Sequence, residues 1–113
     1  MRMLIAGLFV LSLCAQDQPD LSRALSGPRQ RIDKIDDEIV RLLSERAAIV
    51  VEVGSIKKRF HAPASAPGRE EQVLRRVSEQ ARAPLTPEAV RKIYAAIISE
   101  MTAMEQRESE LKR

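Results

Sequence analysis

Three basic residues lie on or beside the apolar stripe of one predicted helix, and their charges point to the binding of an anion. Arg46 occupies the stripe position between Leu42 and Ile49, where an unpaired guanidinium would be costly to bury. Arg29 and Lys57 lie within three or four residues of other stripe positions, so they lean toward the same side of the helix. The three cations therefore favour a ligand with negatively charged groups.

The spacing of these cations limits how they can meet one ligand. They are separated by 17 and 11 residues, which corresponds to about 26 and 17 Å along a straight helix. Arg46 and Lys57 could reach one small ligand together, whereas Arg29 would most simply come from a second chain. The alternative is that each cation forms a structural salt bridge with an acid such as Glu45 or Glu52.

Two later segments add further charged candidates. At the start of a second predicted helix, Glu70 and Glu71 suit the helix dipole, whereas Arg69 opposes it and indicates an anion nearby. On a third predicted helix, Glu105 lies four residues after Met101 on the apolar stripe. Its simplest interpretation is the solvated end of that helix.

These residues would be positioned by three helices in the order long, short, long. Apolar residues step by three and four from Pro28, at the predicted first helical position, to the loop at 62–68. The short helix is predicted over about 69–81. Thr86 as N-cap and Pro87 at the first position start the third helix. The sequence therefore predicts an all-α fold.

The first predicted helix is too long for one chain to cover. About 33 residues span roughly 50 Å, whereas a compact domain of about 100 residues has a radius of gyration near 13 Å. Gly54 lies inside the pattern and costs about 1 kcal/mol relative to alanine, but it does not end the helix. An intertwined helical homodimer would bury both stripes. An ordinary two-stranded coiled coil is the simpler alternative.

The first 15 residues have the pattern of a cleaved secretory signal. Arg2 gives a basic tip, ten uncharged residues follow at 4–13, and small residues lie near Ala15. The apolar run is shorter than the roughly 20 residues that span a membrane. We expect cleavage after Ala15, a polar leader over 16–26, and a periplasmic or secreted protein without stable membrane association. A buried or anchoring helix, or a lipoprotein anchored at Cys14, is the alternative.

Composition narrows the function classes. With 113 residues, 31% of them charged and 44% apolar, the chain is expected to form one globular domain. A net charge of +3 with no Trp, 2 Phe and 1 Tyr gives little support to nucleic-acid binding. Cys14 and His61 are the sole residues of their types. We therefore expect no disulfide framework, thiolate catalysis or metal site.

Four motifs, in this order and spacing, resemble the all-helical (type II) class of chorismate mutases. They are RQRIDKID at 29–36, LLSER at 42–46, VVEVGSIK at 50–57 and PGRE at 67–70. The run IYAAIISE at 93–100 is similar to the closing helix of that family. The resemblance covers about residues 27–105, within a predicted domain at 27–113, and with the signal it suggests a secreted branch of the family.

The resemblance implies a homodimer whose three-helix chains intertwine and share their active sites. It implies the conversion of chorismate to prephenate, an intramolecular rearrangement that needs no cofactor. Position by position, it implies these roles: Arg29 from the neighbouring chain and Arg46 bind the two carboxylates, Lys57 donates to the ether oxygen, Glu105 faces that oxygen, Arg69 lies at the edge, and Glu70 holds the ring hydroxyl. Arg46, Lys57 and Glu105 would be the catalytic residues.

Two departures from the family pattern bear on these roles. Some members carry an acid where this chain has Ala66, so Glu70 alone would bind the ring hydroxyl of the substrate. An ionised Glu105 would repel a growing oxyanion, so it could help only when protonated, and activity should then rise toward acid pH. Otherwise Gln106 would take its place.

Two rival functions fit parts of the same pattern. An isochorismate pyruvate lyase shares the fold and a similar cationic pocket, and release of pyruvate from isochorismate would identify it. A noncatalytic helical adaptor would explain the apolar stripe but not the cations. It predicts that neutralising Arg46 leaves function unchanged or stabilises the protein.

Overall fold

The computed structural model describes residues 19–111, and within that range it contains three α-helices and no strand. Helix α1 spans Pro19–Arg59, α2 spans Pro67–Ser78 and α3 spans Pro87–Leu111. The all-α class and the order long, short, long are confirmed. The predicted signal at 1–15 lies outside the described residues.

The predicted start of the first helix at Pro28 is wrong, because α1 begins at Pro19 and Pro28 lies inside it. Residues 19–26, which we expected in a polar leader, are helical. Pro19 followed by Asp20 is itself a helix start, since proline suits the first position and an acid suits the first turn. Pro28 removes one backbone hydrogen bond without ending α1. Apolar residues show no sustained helical spacing before Pro28, so their pattern did not indicate the earlier helix start.

The other helix boundaries lie close to those expected. Helix α2 begins at Pro67, slightly earlier than predicted, and ends at Ser78, before the predicted end. Helix α3 begins at Pro87 as expected, and the Thr86 Oγ1 accepts a hydrogen bond of 3.1 Å from the Ala89 N–H. This bond confirms the predicted N-cap.

A small apolar core holds α2 against α3. Val73 and Val77 of α2 and Val90 of α3 are buried together, and the partly buried Tyr94 and Ile98 pack against them. Residues at i and i+4 share one helix face, so this contact follows from the sequence periodicity.

One ion pair links the surfaces of α2 and α3. The Arg91 Nη2 lies 2.6 Å from the Glu71 Oε2, and about half of each side chain is exposed. The hydrogen bond from Arg91 lowers the pKa of Glu71, and the same bond raises the pKa of Arg91. Glu71 therefore serves the packing of α3, beyond the helix-dipole role that we expected.

Many apolar stripe residues of α1 are exposed among the residues that the structure describes. The chain divides into two compact units, Met1–Ile39 and Val40–Arg113. In the described part of the first unit, Ile32 and Ile35 are more than half exposed. In the second unit, Leu42, Ile49 and Phe60 are likewise exposed. No helix within residues 19–111 is both long enough and apolar enough to span a bilayer.

Candidate active site

A cleft of about 280 Å³ lies in the second unit, between the C-terminal part of α1, the loop before α2, and helices α2 and α3. Five of the six predicted site residues line it: Arg46, Lys57, Arg69, Glu70 and Glu105. All lining residues lie between positions 46 and 105, so Arg29 is not among them. Arg29 is an exposed residue of α1 in the first unit.

Lys57 is fixed near the C-terminus of α1 by the loop that follows. The Ala62 N–H donates to the Lys57 carbonyl at 2.9 Å, which turns the chain back toward the helix. The Lys57 Nζ then donates to the Ala64 carbonyl at 2.7 Å. The side chain is about a quarter exposed, at 24%. Its ammonium is therefore held at the cleft wall while keeping some access to the cleft.

Glu105 reaches the cleft from α3 and is buried, with 6% of its surface exposed. Its Oε1 lies 3.2 Å from the Lys57 Nζ, and this buried oxygen has no hydrogen-bond partner among the described residues. The Glu105 carboxyl group and the Lys57 ammonium therefore lie side by side at the cleft. The alternative that Glu105 lies at the solvated end of α3 is wrong, because Glu105 is buried and α3 continues to Leu111.

Gln106, the alternative to Glu105, faces elsewhere. It is exposed and lines a separate groove formed by α2 and α3. Successive helix residues point about 100° apart, and Gln106 is turned away from the direction in which Glu105 meets the cleft. The structure places Glu105 there.

Arg46 projects from α1 into the cleft and is partly buried. Its Nη1 lies 2.7 Å from the Met101 Sδ of α3. No carboxylate forms an ion pair with Arg46 in the part of the chain that the structure describes, so the salt-bridge alternative is not supported for this residue. A thioether is only a weak acceptor. The guanidinium therefore retains most of its capacity to bind an anion.

Arg69 and Glu70 lie in the first turn of α2. Arg69 is exposed, and its Nη1 donates to the Gln72 Oε1 at 2.8 Å. Glu70 is half-buried, and its backbone N–H donates to the Ala66 carbonyl at 2.9 Å. Both side chains border the cleft beside Ala66, so Glu70 supplies a carboxylate where Ala66 has none.

Sequence reasoning missed several residues that complete the cleft. Met101 was assigned only to the apolar stripe, and Val53 and Thr102 were given no role at the site, yet all three line the cleft. Thr102 lies three residues before Glu105, and this helical spacing was the signal that could have identified it. The Ala64 carbonyl that binds Lys57 is a backbone group, so no side-chain type could have identified it from the sequence.

The arrangement suits a small anionic ligand with an apolar body. Three cations and two carboxylic acids project from walls that are otherwise largely aliphatic, which is the usual character of a small-molecule site. Across residues 19–111, no cluster of three or more His, Cys, Asp or Glu side chains could hold a metal ion.

Comparisons with known proteins agree with this geometry. The family described as chorismate mutase type II matches residues 28–106. A bifunctional chorismate mutase/prephenate dehydratase from Aquifex aeolicus is 39% identical over 83 residues, which cover 70% of this chain and 23% of that protein. A protein of the same description from Neisseria gonorrhoeae is 39% identical over 77 residues, with coverage of 68% and 21%. The chain thus spans less than a quarter of the length of these curated relatives.

A solved structure shows the same fold. The chorismate mutase (form II) from Thermus thermophilus superimposes with a TM-score of 0.72 at 31% sequence identity. The match covers 74% of this chain and 96% of that one. The three-helix arrangement therefore corresponds to nearly the whole of a solved protein.

Proposed function

We propose that this chain, which belongs to the chorismate mutase type II family, converts chorismate to prephenate in the cleft described above. The observation that carries the proposal is the presence of Arg46, Lys57 and Glu105 in one cleft of a chain from this family. Chorismate is a dianion with an apolar ring, which matches the charge and the aliphatic walls of the cleft.

The rearrangement requires orientation and charge stabilisation. One C–O bond breaks while one C–C bond forms within the same molecule, and negative charge grows on the ether oxygen. Holding the substrate in a compact conformation lowers the entropic part of the barrier. Fixed donors near the ether oxygen stabilise the growing charge, and they act more strongly where water is excluded.

Arg46 and Lys57 divide these two tasks. The planar guanidinium of Arg46 suits bidentate binding of a substrate carboxylate. The Lys57 ammonium is a compact point charge that is already held by the Ala64 carbonyl at 2.7 Å, so it needs little reorganisation to donate to the ether oxygen. Glu105, 3.2 Å from that ammonium, would donate to the same oxygen when protonated.

Glu70 and Arg69 complete the proposed substrate contacts. Glu70 is half-buried at the cleft, where it would accept a hydrogen bond from the ring hydroxyl. Arg69 is exposed at the rim, where it would attract the dianion without a fixed contact. No cofactor enters this scheme.

A homodimer is part of the proposal. The exposed apolar residues of α1 in both units support it, since burying them against a second chain removes them from water. Arg29 would then enter the partner's site and bind the second carboxylate. Each active site would contain residues from both chains.

The test of the proposed function is the loss of chorismate's ultraviolet absorbance on addition of the purified protein, with prephenate identified as the product. Arg46→Ala should abolish turnover, whereas Arg41→Ala should leave it near normal. Arg41 lies on the same helix with an exposed side chain and pairs with Glu45. Full activity in Arg46→Ala would contradict the proposal.

Failure of the parent protein to convert chorismate would lead to the rival functions. Pyruvate release from isochorismate would indicate the lyase on the same fold. Inactivity toward both substrates in a folded protein would favour the adaptor, especially if Arg46→Ala raised the thermal stability.

We propose that the protein is exported. The support is the basic tip, short apolar run and small residues of positions 1–15. Expression of the full chain in a bacterial host, followed by fractionation and intact-mass analysis, tests this. A periplasmic form that begins at Gln16 would support export, a lipid-modified Cys14 would indicate an anchored lipoprotein, and an uncleaved cytoplasmic chain would contradict both.

A further inference from the structure

We infer that Gly54 is a positioning residue that sets the carboxyl group of Glu105 in the active site. A Cβ atom built on Gly54 would lie 2.8 Å from the Glu105 Cγ, 3.3 Å from its Oε1 and 3.5 Å from its Cδ. Real Cβ atoms essentially never approach a carbon as closely as 2.8 Å. Glu105 therefore occupies the space that a side chain at position 54 would fill. The inference rests on the proposed function.

The backbone conformation at position 54 does not require a glycine. Gly54 lies inside α1, and none of the described glycines has a positive φ, so any L residue could adopt its backbone conformation. A glycine in a helix interior destabilises the helix relative to alanine. A Cβ added to Gly27 or Gly68 would meet no atom within 4 Å. Among these glycines, Gly54 is the one whose missing side chain makes room for a site residue.

Glu105 has little freedom to move away from an added methyl group. Its side chain is only 6% exposed, and its Oε1 faces the Lys57 Nζ at 3.2 Å. The clash would fall on the Cγ, in the middle of the side chain, so rotating the far end alone would not relieve it. Either the Glu105 side chain or the spacing of α1 and α3 would have to change, and both changes would move the carboxyl group relative to Lys57.

Such a displacement should lower the rate of the chemical step. A misplacement of about 1 Å at a catalytic group can cost a hundredfold in rate. We expect Gly54→Ala to lower kcat at least tenfold with KM within threefold of the parent, because a contact made mainly in the transition state affects kcat. Gly27→Ala is the matched control, since it also replaces a glycine inside α1, and its kcat should stay within twofold of the parent.

A double-mutant cycle tests whether Gly54 acts through Glu105. In a Glu105→Ala background, the extra methyl group has no side chain to displace, so Gly54→Ala should change kcat less than twofold there. It should instead raise the Tm of that background by roughly 4–8 °C, through the better helix propensity of alanine. In the Glu105 parent, the Tm should not rise.

The possible outcomes separate the inference from the proposed function. An unfolded Gly54→Ala beside a folded Gly54→Ala/Glu105→Ala protein would support the steric contact. Normal kcat in Gly54→Ala, an equal loss in both backgrounds, or unfolding of both variants would overturn the inference. If the parent does not convert chorismate, the proposed function fails, whereas a parent that turns over chorismate with no effect of Gly54→Ala refutes this inference alone.

Discussion

Lys57 is the residue on which the proposed chemistry depends most directly. Its ammonium is held by the Ala64 carbonyl and faces the Glu105 carboxyl group, so it enters the reaction already oriented. Electrostatic stabilisation by preorganised donors of this kind is usually the largest single contribution to catalysis. The family resemblance assigned Lys57 to the ether oxygen, and the structure shows which backbone group would hold it there.

Replacing Lys57 with alanine should lower kcat by at least about a hundredfold, because losing one such donor typically costs about 2.7–4 kcal/mol of barrier. Steady-state turnover of chorismate measures the loss, and circular dichroism reports whether the fold is intact. Lys58→Ala is the control, since its exposed side chain bonds the Ser109 carbonyl at 3.4 Å and does not line the cleft. Near-normal turnover by a folded Lys57→Ala protein would refute the assignment.

Glu105 should make the reaction faster in acid. Only its protonated form can donate a hydrogen bond to the ether oxygen, and that form increases as the pH falls. We expect kcat to rise toward acid pH in the parent and to lose this dependence in Glu105→Gln, because the amide donates at every pH. A flat profile in the parent would contradict the proposed role.

Other charged groups near Glu105 must be considered in that pH profile. They line the same cleft or the adjoining grooves and are Arg46, Lys57 and Lys58 of α1, His61 of the following loop, Arg69 and Glu70 of α2, and Glu108 of α3. His61 is the histidine of this set. His61→Gln therefore serves as the control, and the acid dependence assigned to Glu105 should persist in it.

At the scale of the elements, the contact between α2 and α3 keeps one side of the cleft in place. Val73 belongs both to the apolar core and to the cleft lining. The packing of the two helices and the shape of the site are thus set by some of the same residues. Substitutions in the core should therefore lower the free energy of unfolding more than substitutions in the ion pair between Glu71 and Arg91.

Val77→Ala should destabilise the protein by roughly 1–3 kcal/mol, because it removes buried methyl groups and leaves a cavity. Val77 is 7% exposed and does not line the cleft. Thermal or urea unfolding measures the loss, and Val40→Ala, at a position that is 61% exposed in the single chain, gives the comparison. An unfolding midpoint equal to the parent's would show that the core is less important than its burial indicates.

The ion pair between Glu71 and Arg91 should contribute a small, pH-dependent stability. Because the hydrogen bond from Arg91 lowers the pKa of Glu71 below its ordinary value of 4.5, the contribution is present above that value and is lost as the pH falls through the lowered pKa. Glu71→Gln should therefore lower the Tm less than Val77→Ala does at pH 7. A difference from the parent that grew in acid would contradict this sign.

At the scale of the whole molecule, the exposed stripe of α1 is the feature that a single chain leaves unexplained. Ile35 is 58% exposed in the first unit and Ile49 is 54% exposed in the second. Large uncovered apolar surfaces usually mark an interface. The proposed dimer would cover them and would supply Arg29 to the partner's site.

The proposed dimer predicts the mass of the assembly and the activity of mixed variants. Light scattering should give twice the mass of the chain, and Ile35→Asp should weaken this assembly more than Lys34→Asp does.

Arg29→Ala and Arg46→Ala should each be inactive alone. Refolded together in equal amounts, they should recover about a quarter of the parent activity, because half of the random dimers carry one intact site. A fully active folded monomer would refute the shared site.

The sequence by itself determined the helices, the family and most of the residues at the site. Apolar periodicity and start signals such as Thr86 and Pro87 are local, so they can be read without knowing what packs against them. The motifs around Arg46 and Lys57 identified the family for the same reason. Even the error at the start of α1 was local, since Pro19 and Pro28 are both plausible first positions.

Only the tertiary structure decided which side chains meet. It placed Glu105 rather than Gln106 in the cleft, directed Glu71 to Arg91, and set Glu105 in the space left by Gly54. Gly54 and Glu105 lie on different helices, and their contact depends on how α1 and α3 pack, which periodicity does not encode. From the sequence, Gly54 was a cost to helix stability, and in the fold its missing side chain leaves the space that the Glu105 side chain occupies.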